Sequence, residues 1–374
     1  MSSIGENERC SGCGICSLMC PTKAISLKED VKGFIRPFVD DSKCIDCNKC
    51  IKFCHEYNKR NTNYIHNAYL ASSKSKEILE HSSSGGVFSE LARVFLDNGG
   101  YVCGASLIEP SVGTVKHIVI DNVDDIYKLR KSKYVESSLV DILPACLELV
   151  KAGKVLMFVG TPCQCAAIRN FLCDDEKLFV VDFICHGTGS PKVLKWYLSQ
   201  EKTHIGKIHT LDFRYKNNES GSYFYISGDK GSKLIKNYSE GYPYAFATAL
   251  IVADDCLNCK YATVERVSDI TLADKCDGTG LDFDKSTILA NSKRGVQLLE
   301  SLVIELKQVS IASILENAWH LTSPNEPNLN RDKFFKSYTT LDYTKIYKTY
   351  LVMKPMTIWR RAALKLKAIV KQLI

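Results

Sequence analysis

The chain has 374 residues, 24% charged and 45% apolar, an ordinary globular composition that excludes a fibrous or disordered protein. It contains no apolar run of about 18 residues, so no membrane-spanning helix is expected. The net charge is +7, but the excess sits at residues 354–374, and the near-neutral remainder argues against nucleic-acid binding by the whole chain.

The N-terminus, MSSIGENERC, lacks the basic and apolar segments of a secretory signal, so a cytoplasmic chain is expected. Seventeen cysteines in a reducing compartment point to metal ligation rather than disulfides. Their spacing supports this at once. Residues 10–21 read CSGCGICSLMCP and residues 44–54 read CIDCNKCIKFC. Both are C-x2-C-x2-C-x3-C, the bacterial ferredoxin run, in which three cysteines hold one 4Fe–4S cluster and the fourth reaches the other. Cys10, Cys13, Cys16 and Cys54 are thus assigned to one cluster, and Cys44, Cys47, Cys50 and Cys20 to a second. Ser11, Gly12 and Gly14 are small enough for backbone N–H groups to approach the cluster sulfurs. Between the runs, AISLKED and GFIRPFVD predict a hairpin around Lys32-Gly33. The second run ends in Cys54-His55, where a proline is usual. A zinc site is the alternative, weakened by two complete runs of this spacing.

After residue 62 the character changes. A Ser/Gly turn, SSSGG, opens a helical period at Val87, Leu91, Val94 and Phe95; such a turn can present N–H groups to a phosphate, or serve only as a cap and packing contact. LRKSKYVESS (129–138) follows as a basic segment. VLMFVGTPCQC (155–165) and LFVVDFICHG (178–187) are buried-type strands, each running into a turn that carries cysteine. Strands alternating with helices predict an α/β domain with a mostly parallel sheet, binding at the strands' carboxyl ends. Cys163 and Cys185 lie at two such ends, and DDCLNCKYA adds Cys256 and Cys259. These four suffice for a third cluster, although the pattern alone favours buried free thiols, which are common core residues. Cys103, Cys146 and Cys173 are expected in the core, Cys165 and Cys276 are ambiguous.

The segments SSSGGVFSELA, LRKSKYVES, VLMFVGTPCQCAAIRNFL, VVDFICHGTGSPKVLKWYL, LDFRYK and CLNCKYATVERVSDITLAD occur in an order that resembles the coenzyme F420 hydrogenase/dehydrogenase beta-subunit family, from about residue 66 to 300. The resemblance implies an iron–sulfur flavoprotein oxidoreductase carrying FAD and passing electrons to or from a hydride carrier such as F420 or another reducible substrate. It implies flavin phosphate contacts at Ser83, Ser84, Gly85 and Gly86, with Ser132 and Lys133 close by, and an internal cluster on Cys163, Cys185, Cys256 and Cys259. Lys133, Gln164, His186 and Arg214 are candidates near the flavin. Two departures stand out: Lys131 replaces a glycine of the family pattern, and Ser268 and Ala273 replace two more in SDITLADKCDG.

The expected organisation is a small α+β ferredoxin-like domain (1–62), an α/β flavin and iron–sulfur domain (63–316), and a connector with a basic amphipathic helix (317–374). That helix places Trp359, Ala362, Leu366, Ile369 and Leu373 on one face, suited to an anionic membrane surface or a partner. The partners implied are an electron-donor or acceptor protein and a small hydride carrier. A non-catalytic electron-transfer subunit, or a membrane-recruited module with a degenerate flavin site, is the alternative to an enzyme.

Overall fold

The computed structural model describes residues 4, 9–58, 62–217, 221–236 and 238–353; the amphipathic tail lies outside them. Thirteen strands are described: β1 (Ile25–Glu29), β2 (Ile35–Val39), β3 (Asn67–Ser72), β4 (Tyr101–Glu109), β5 (Thr114–Ile120), β6 (Leu156–Val159), β7 (Leu178–Phe183), β8 (Ile208–Tyr215), β9 (Tyr223–Gly228), β10 (Gly231–Lys236), β11 (Ile270–Asp274), β12 (Ser286–Ala290) and β13 (Glu305–Val309). The N-terminal unit is the expected hairpin, β1 antiparallel to β2 with Ile25 opposite Val39, flanked by short helices Ile15–Met19 and Lys49–Phe53. Its turn uses Gly33 at φ +90°, a left-handed position where a Cβ would also strike Lys192.

The main sheet runs β13-β3-β12-β11-β7-β6-β4-β5. It is mixed, not mostly parallel. Parallel pairing is confined to β4–β6, β6–β7 and β7–β11; the other pairings are antiparallel. A parallel neighbour needs a crossover of a dozen or more residues, usually a helix. The β4–β5 link is a hairpin, and no helix separates β11 from β12. Alternate residues on the central strands feed two core layers. Met157, Phe179 and Val181 pack with helix Val87–Asp97 on one face. Leu156, Phe158, Leu178 and Val180 meet helices Leu143–Lys151 and Pro162–Phe171 on the other. Ile15 of the N-terminal unit belongs to that second layer, so the two units share a core.

A second antiparallel sheet, β10-β9-β8, was not foreseen. It packs on helix Pro191–Ile205 around Tyr197, Phe213, Phe224 and Tyr242. The stretch read as a connector contributes to the same core. Helices Arg331–Ser337 and Tyr343–Tyr350 bury Phe334, Tyr338 and Ile346 there.

Candidate functional site

The twelve cysteines named from the sequence gather into three hollow sites, in the groups expected. The first is lined by Cys10, Cys13, Cys16 and Cys54, and the second by Cys20, Cys44, Cys47 and Cys50. The third is lined by Cys163, Cys185, Cys256 and Cys259. Among the described residues no three His, Cys, Asp or Glu side chains converge as ligands of a single ion; the sulfurs stand around the spaces instead.

Local folding explains how each thiol is aimed. In the first run Gly12 and Gly14 adopt φ +69° and +79°, and a Cβ at Gly12 would lie 2.5 Å from the Ile35 carbonyl. The first run therefore curls closely against the start of β2. In the third site, residues far apart in sequence meet because β6 and β7 are neighbouring parallel strands, and both run into cysteine at the same sheet edge. The feature after β6 is not the expected turn. Thr161 caps helix Pro162–Phe171 in a reciprocal capping box with Gln164, and Pro162 fills the first turn. Cys163 thus rides a helix N-terminus, and Gln164 is committed to that cap and to the Ser137 carbonyl. Cys165, one step round, is fully buried.

Donors already face the sulfurs. The Gly187 N–H donates to Cys185 Sγ at 3.3 Å and the Ala24 N–H to Cys20 Sγ at 3.2 Å. Thr161 Oγ1 is 3.1 Å from Cys163 Sγ, and Thr188 Oγ1 is 3.8 Å from Cys256 Sγ. Burial pushes most of these thiols up, Cys10 to about 11 and Cys16 and Cys185 to about 12. Cys20 shifts the other way. Burial alone would raise it, but hydrogen bonds from Thr22, Ala24 and Ile25 bring it below the usual thiol value. Buried thiols of this kind become thiolates when a metal's charge is placed among them. The enclosed space, four sulfurs and inward donors fit a cubane at each site.

The residues assigned to flavin contacts are also brought together. The Ser132 N–H donates to Ser83 Oγ at 3.0 Å, and Arg214 donates to the Ser83 carbonyl at 3.2 Å. Lys133 Nζ is buried against the Leu129 and Arg130 carbonyls, and burial lowers its pKa to about 7. Ser84 Oγ donates to Lys285, while the Gly85 N–H donates to Ser286 Oγ at 2.9 Å. A Cβ at Gly85 would lie 2.4 Å from the Ala71 carbonyl. Gly86, at φ +77°, starts the following helix. Ser84, Gly85 and Gly86 therefore fasten the turn to β3 and β12, whereas Ser83, Ser132 and Arg214 meet in a polar corner where Arg214 also pairs with Asp274. Lys131, the departure from glycine, keeps the left-handed backbone (φ +69°) and reaches Asp212. Ser268 is buried, and its hydroxyl bonds Thr271 and Asn291. Asp269 accepts from Arg169, Arg294, Ser292 and the Val180 N–H; it is a structural hub. The His186 and His320 rings lie 3.7 Å apart, centroid to centroid, and are tilted at 42° to one another.

Cys103 and Cys146 are core thiols as expected, but Cys173 is exposed, at φ +55° in the tight exit from its helix. Sequence reasoning missed Arg36, which joins Glu136 (3.3 Å) and Asp255 (3.0 Å) across the two units, and Glu56 and Tyr261, which line the third site. The one available signal was His55 in place of proline.

Comparison with known proteins agrees with this reading. A 4Fe–4S dicluster domain matches residues 9–57. The N-terminal and C-terminal domains of the coenzyme F420 hydrogenase/dehydrogenase beta subunit match residues 68–144 and 153–313. The coenzyme F420-dependent sulfite reductase of Methanocaldococcus jannaschii is 21% identical over 383 residues, covering 93% of this chain and 55% of that protein; the chain thus spans about half that relative's length. A trichloroethene reductive dehalogenase of Dehalococcoides mccartyi is 35% identical over 72 residues, 17% of this chain and 13% of its own. Among solved structures, the F420-reducing [NiFe] hydrogenase complex of Methanosarcina barkeri aligns at a TM-score of 0.47 and 18% identity, over 75% of this chain and 95% of that one. With the two beta-subunit matches and the dicluster match together, the chain belongs to the coenzyme F420 hydrogenase/dehydrogenase beta-subunit family, joined to a 4Fe–4S dicluster unit.

Proposed function

We propose that the chain is an iron–sulfur flavoprotein that conducts electrons through three 4Fe–4S centres to or from FAD, and thence a hydride carrier such as F420. The observation that carries this reading is the partition of twelve cysteines into three four-cysteine cavities. A zinc site asks for sulfurs about 2.3 Å from a single point; these cavities are hollow. Ser83, Ser132 and Lys133, with Arg214, would hold the flavin phosphates. When bound, a flavin supplies the exchange between one-electron and two-electron chemistry. The chain's own part is to fix the ligands, aim N–H donors at sulfur and keep water out.

We further propose that the chain exchanges electrons with a partner subunit or protein. Anaerobic purification with iron, sulfide and flavin counts tests the proposal: about 12 iron per chain and one FAD are expected. A count near 8 iron would remove the third centre. Full iron without FAD, and no F420 reduction, would leave an electron-transfer subunit.

A further inference from the structure

The first and third cysteine sites are not independent. Both are lined by Ser11 and Glu56, whereas the second site shares no lining residue with either, and its Cys47 is exposed. The wall between the first and third sites is built around His55. That residue follows a ligand of the first site, Cys54, and is 2% exposed. Its Nε2 is 2.8 Å from Ser11 Oγ, and its Nδ1 is 2.7 Å from the Tyr261 hydroxyl. Tyr261 is two residues beyond Cys259, a ligand of the third site. The Lys260 ammonium, between them in sequence, donates to the His55 carbonyl. The His55 and Tyr261 rings lie 5.6 Å apart, centroid to centroid. The sulfurs of Cys163 and Cys259 on one side and of Cys13 on the other are near enough to act on the Tyr261 hydroxyl, which burial first of all pushes up.

A proline at 55 closes the motif's turn but offers no side-chain hydrogen bond. The histidine instead ties each end of its ring to a residue beside a ligand of a different site. We infer that His55 and Tyr261 are positioning residues forming the electronic joint between the first ferredoxin-type centre and the third centre, with the second centre as the outer port. This rests on the three-centre reading above. The step is one electron leaving the reduced cluster at one site and arriving on the oxidised cluster at the other; no bond forms or breaks, and no proton leaves the bridge.

The test uses the full chain, purified anaerobically with its clusters. Substoichiometric titanium(III) citrate is mixed in, and freeze-quenched samples are followed by electron paramagnetic resonance. Tyr261→Phe keeps the ring and removes only the hydroxyl; His55→Pro restores the residue the motif usually carries. Both are expected to keep full iron, to slow arrival at the third centre about tenfold, the lower end of what loss of a ligand-supporting contact costs, and to leave the second centre's midpoint potential unchanged. His55→Gln, which retains a donor and an acceptor, is expected to recover most of the rate. If His55→Pro loses iron, Tyr261→Phe decides. Full iron with wild-type arrival in Tyr261→Phe overturns the joint alone. A wild-type count near 8 iron overturns the third centre, and the joint with it.

Discussion

The two halves of this molecule collect four cysteines in opposite ways. The N-terminal unit does it locally: two runs of 12 and 11 residues, CSGCGICSLMCP and CIDCNKCIKFC, curl on left-handed residues, Gly12 and Gly14 in the first and Asp46 and Asn48 in the second, and on short helices. The main domain does it by topology. Cys163 and Cys185 reach one point only because β6 and β7 pair in parallel, and Cys256 and Cys259 arrive from the short helix Asp254–Leu257 and the turn after it, some seventy residues further on. A local site survives most changes elsewhere in the fold, whereas a dispersed site is only as firm as the sheet that assembles it.

The largest expected effect separates the two directly. Cys163→Ala should remove one whole cluster, taking iron from about 12 to about 8 per chain, with both ferredoxin-type signals retained. Loss of all three together would show that the sites are not separable. Next in size is the buried ion pair behind the third site. Arg266 meets Asp182 of β7 at 2.8 Å, both nearly or wholly inaccessible, and Arg266 also holds the Tyr261 and Thr263 carbonyls. Arg266→Met leaves Asp182 charged and unpaired, which costs about 3–5 kcal/mol. Urea unfolding should show this loss, and anaerobic iron counts should fall at the third site before the other two.

The seam between the halves gives a pH test. Burial raises the Glu136 carboxyl from 4.5 to about 7, against the opposing pull of Arg36. The folded state therefore holds this proton across a window where the unfolded chain has lost it. The group's contribution is fully present below about pH 4.5 and is lost as pH rises through about 7. Thermal melts of the anaerobic holoprotein should lose up to about 3 kcal/mol across that window through this group, and Glu136→Gln should flatten the dependence. An unchanged pH profile in the variant would place the titration elsewhere.

How much was legible follows the same division. The ferredoxin runs and their hairpin could be read because spacing and turn chemistry act within a dozen residues. The third site could be listed residue by residue only through family resemblance, since no local pattern says that β6 and β7 are neighbours. The sheet was misjudged because strand direction depends on what links strands: β11 and β12 both look like buried strands, and only the helix-free link between them makes the pair antiparallel. The second sheet was overlooked because its inward residues, such as Phe213, Phe224 and Ile235, find part of their partner face on helix Arg331–Ser337, distant in sequence. Gln164 reads in the sequence as a candidate near the flavin, but it caps a helix. Polar residues satisfied by distant backbone look functional until the partner is seen.

The smallest expected effect concerns Lys131, where the chain leaves the family pattern without leaving its backbone. A left-handed φ of +69° costs a side-chain-bearing residue about 1 kcal/mol or more relative to glycine. The ion pair with Asp212, largely shielded from solvent, returns about 1 kcal/mol. Lys131→Gly relieves the strain and loses the pair, and glycine's extra freedom in the unfolded chain adds a further small cost, so stability should change by less than about 1 kcal/mol. Lys131→Ala loses the pair and keeps the strain, so it should fall below the glycine variant by about 1 kcal/mol. Equal stability of the two variants would mean that the backbone relaxes once the lysine is gone, and that the Asp212 contact, not the turn, holds residue 131 in its left-handed conformation.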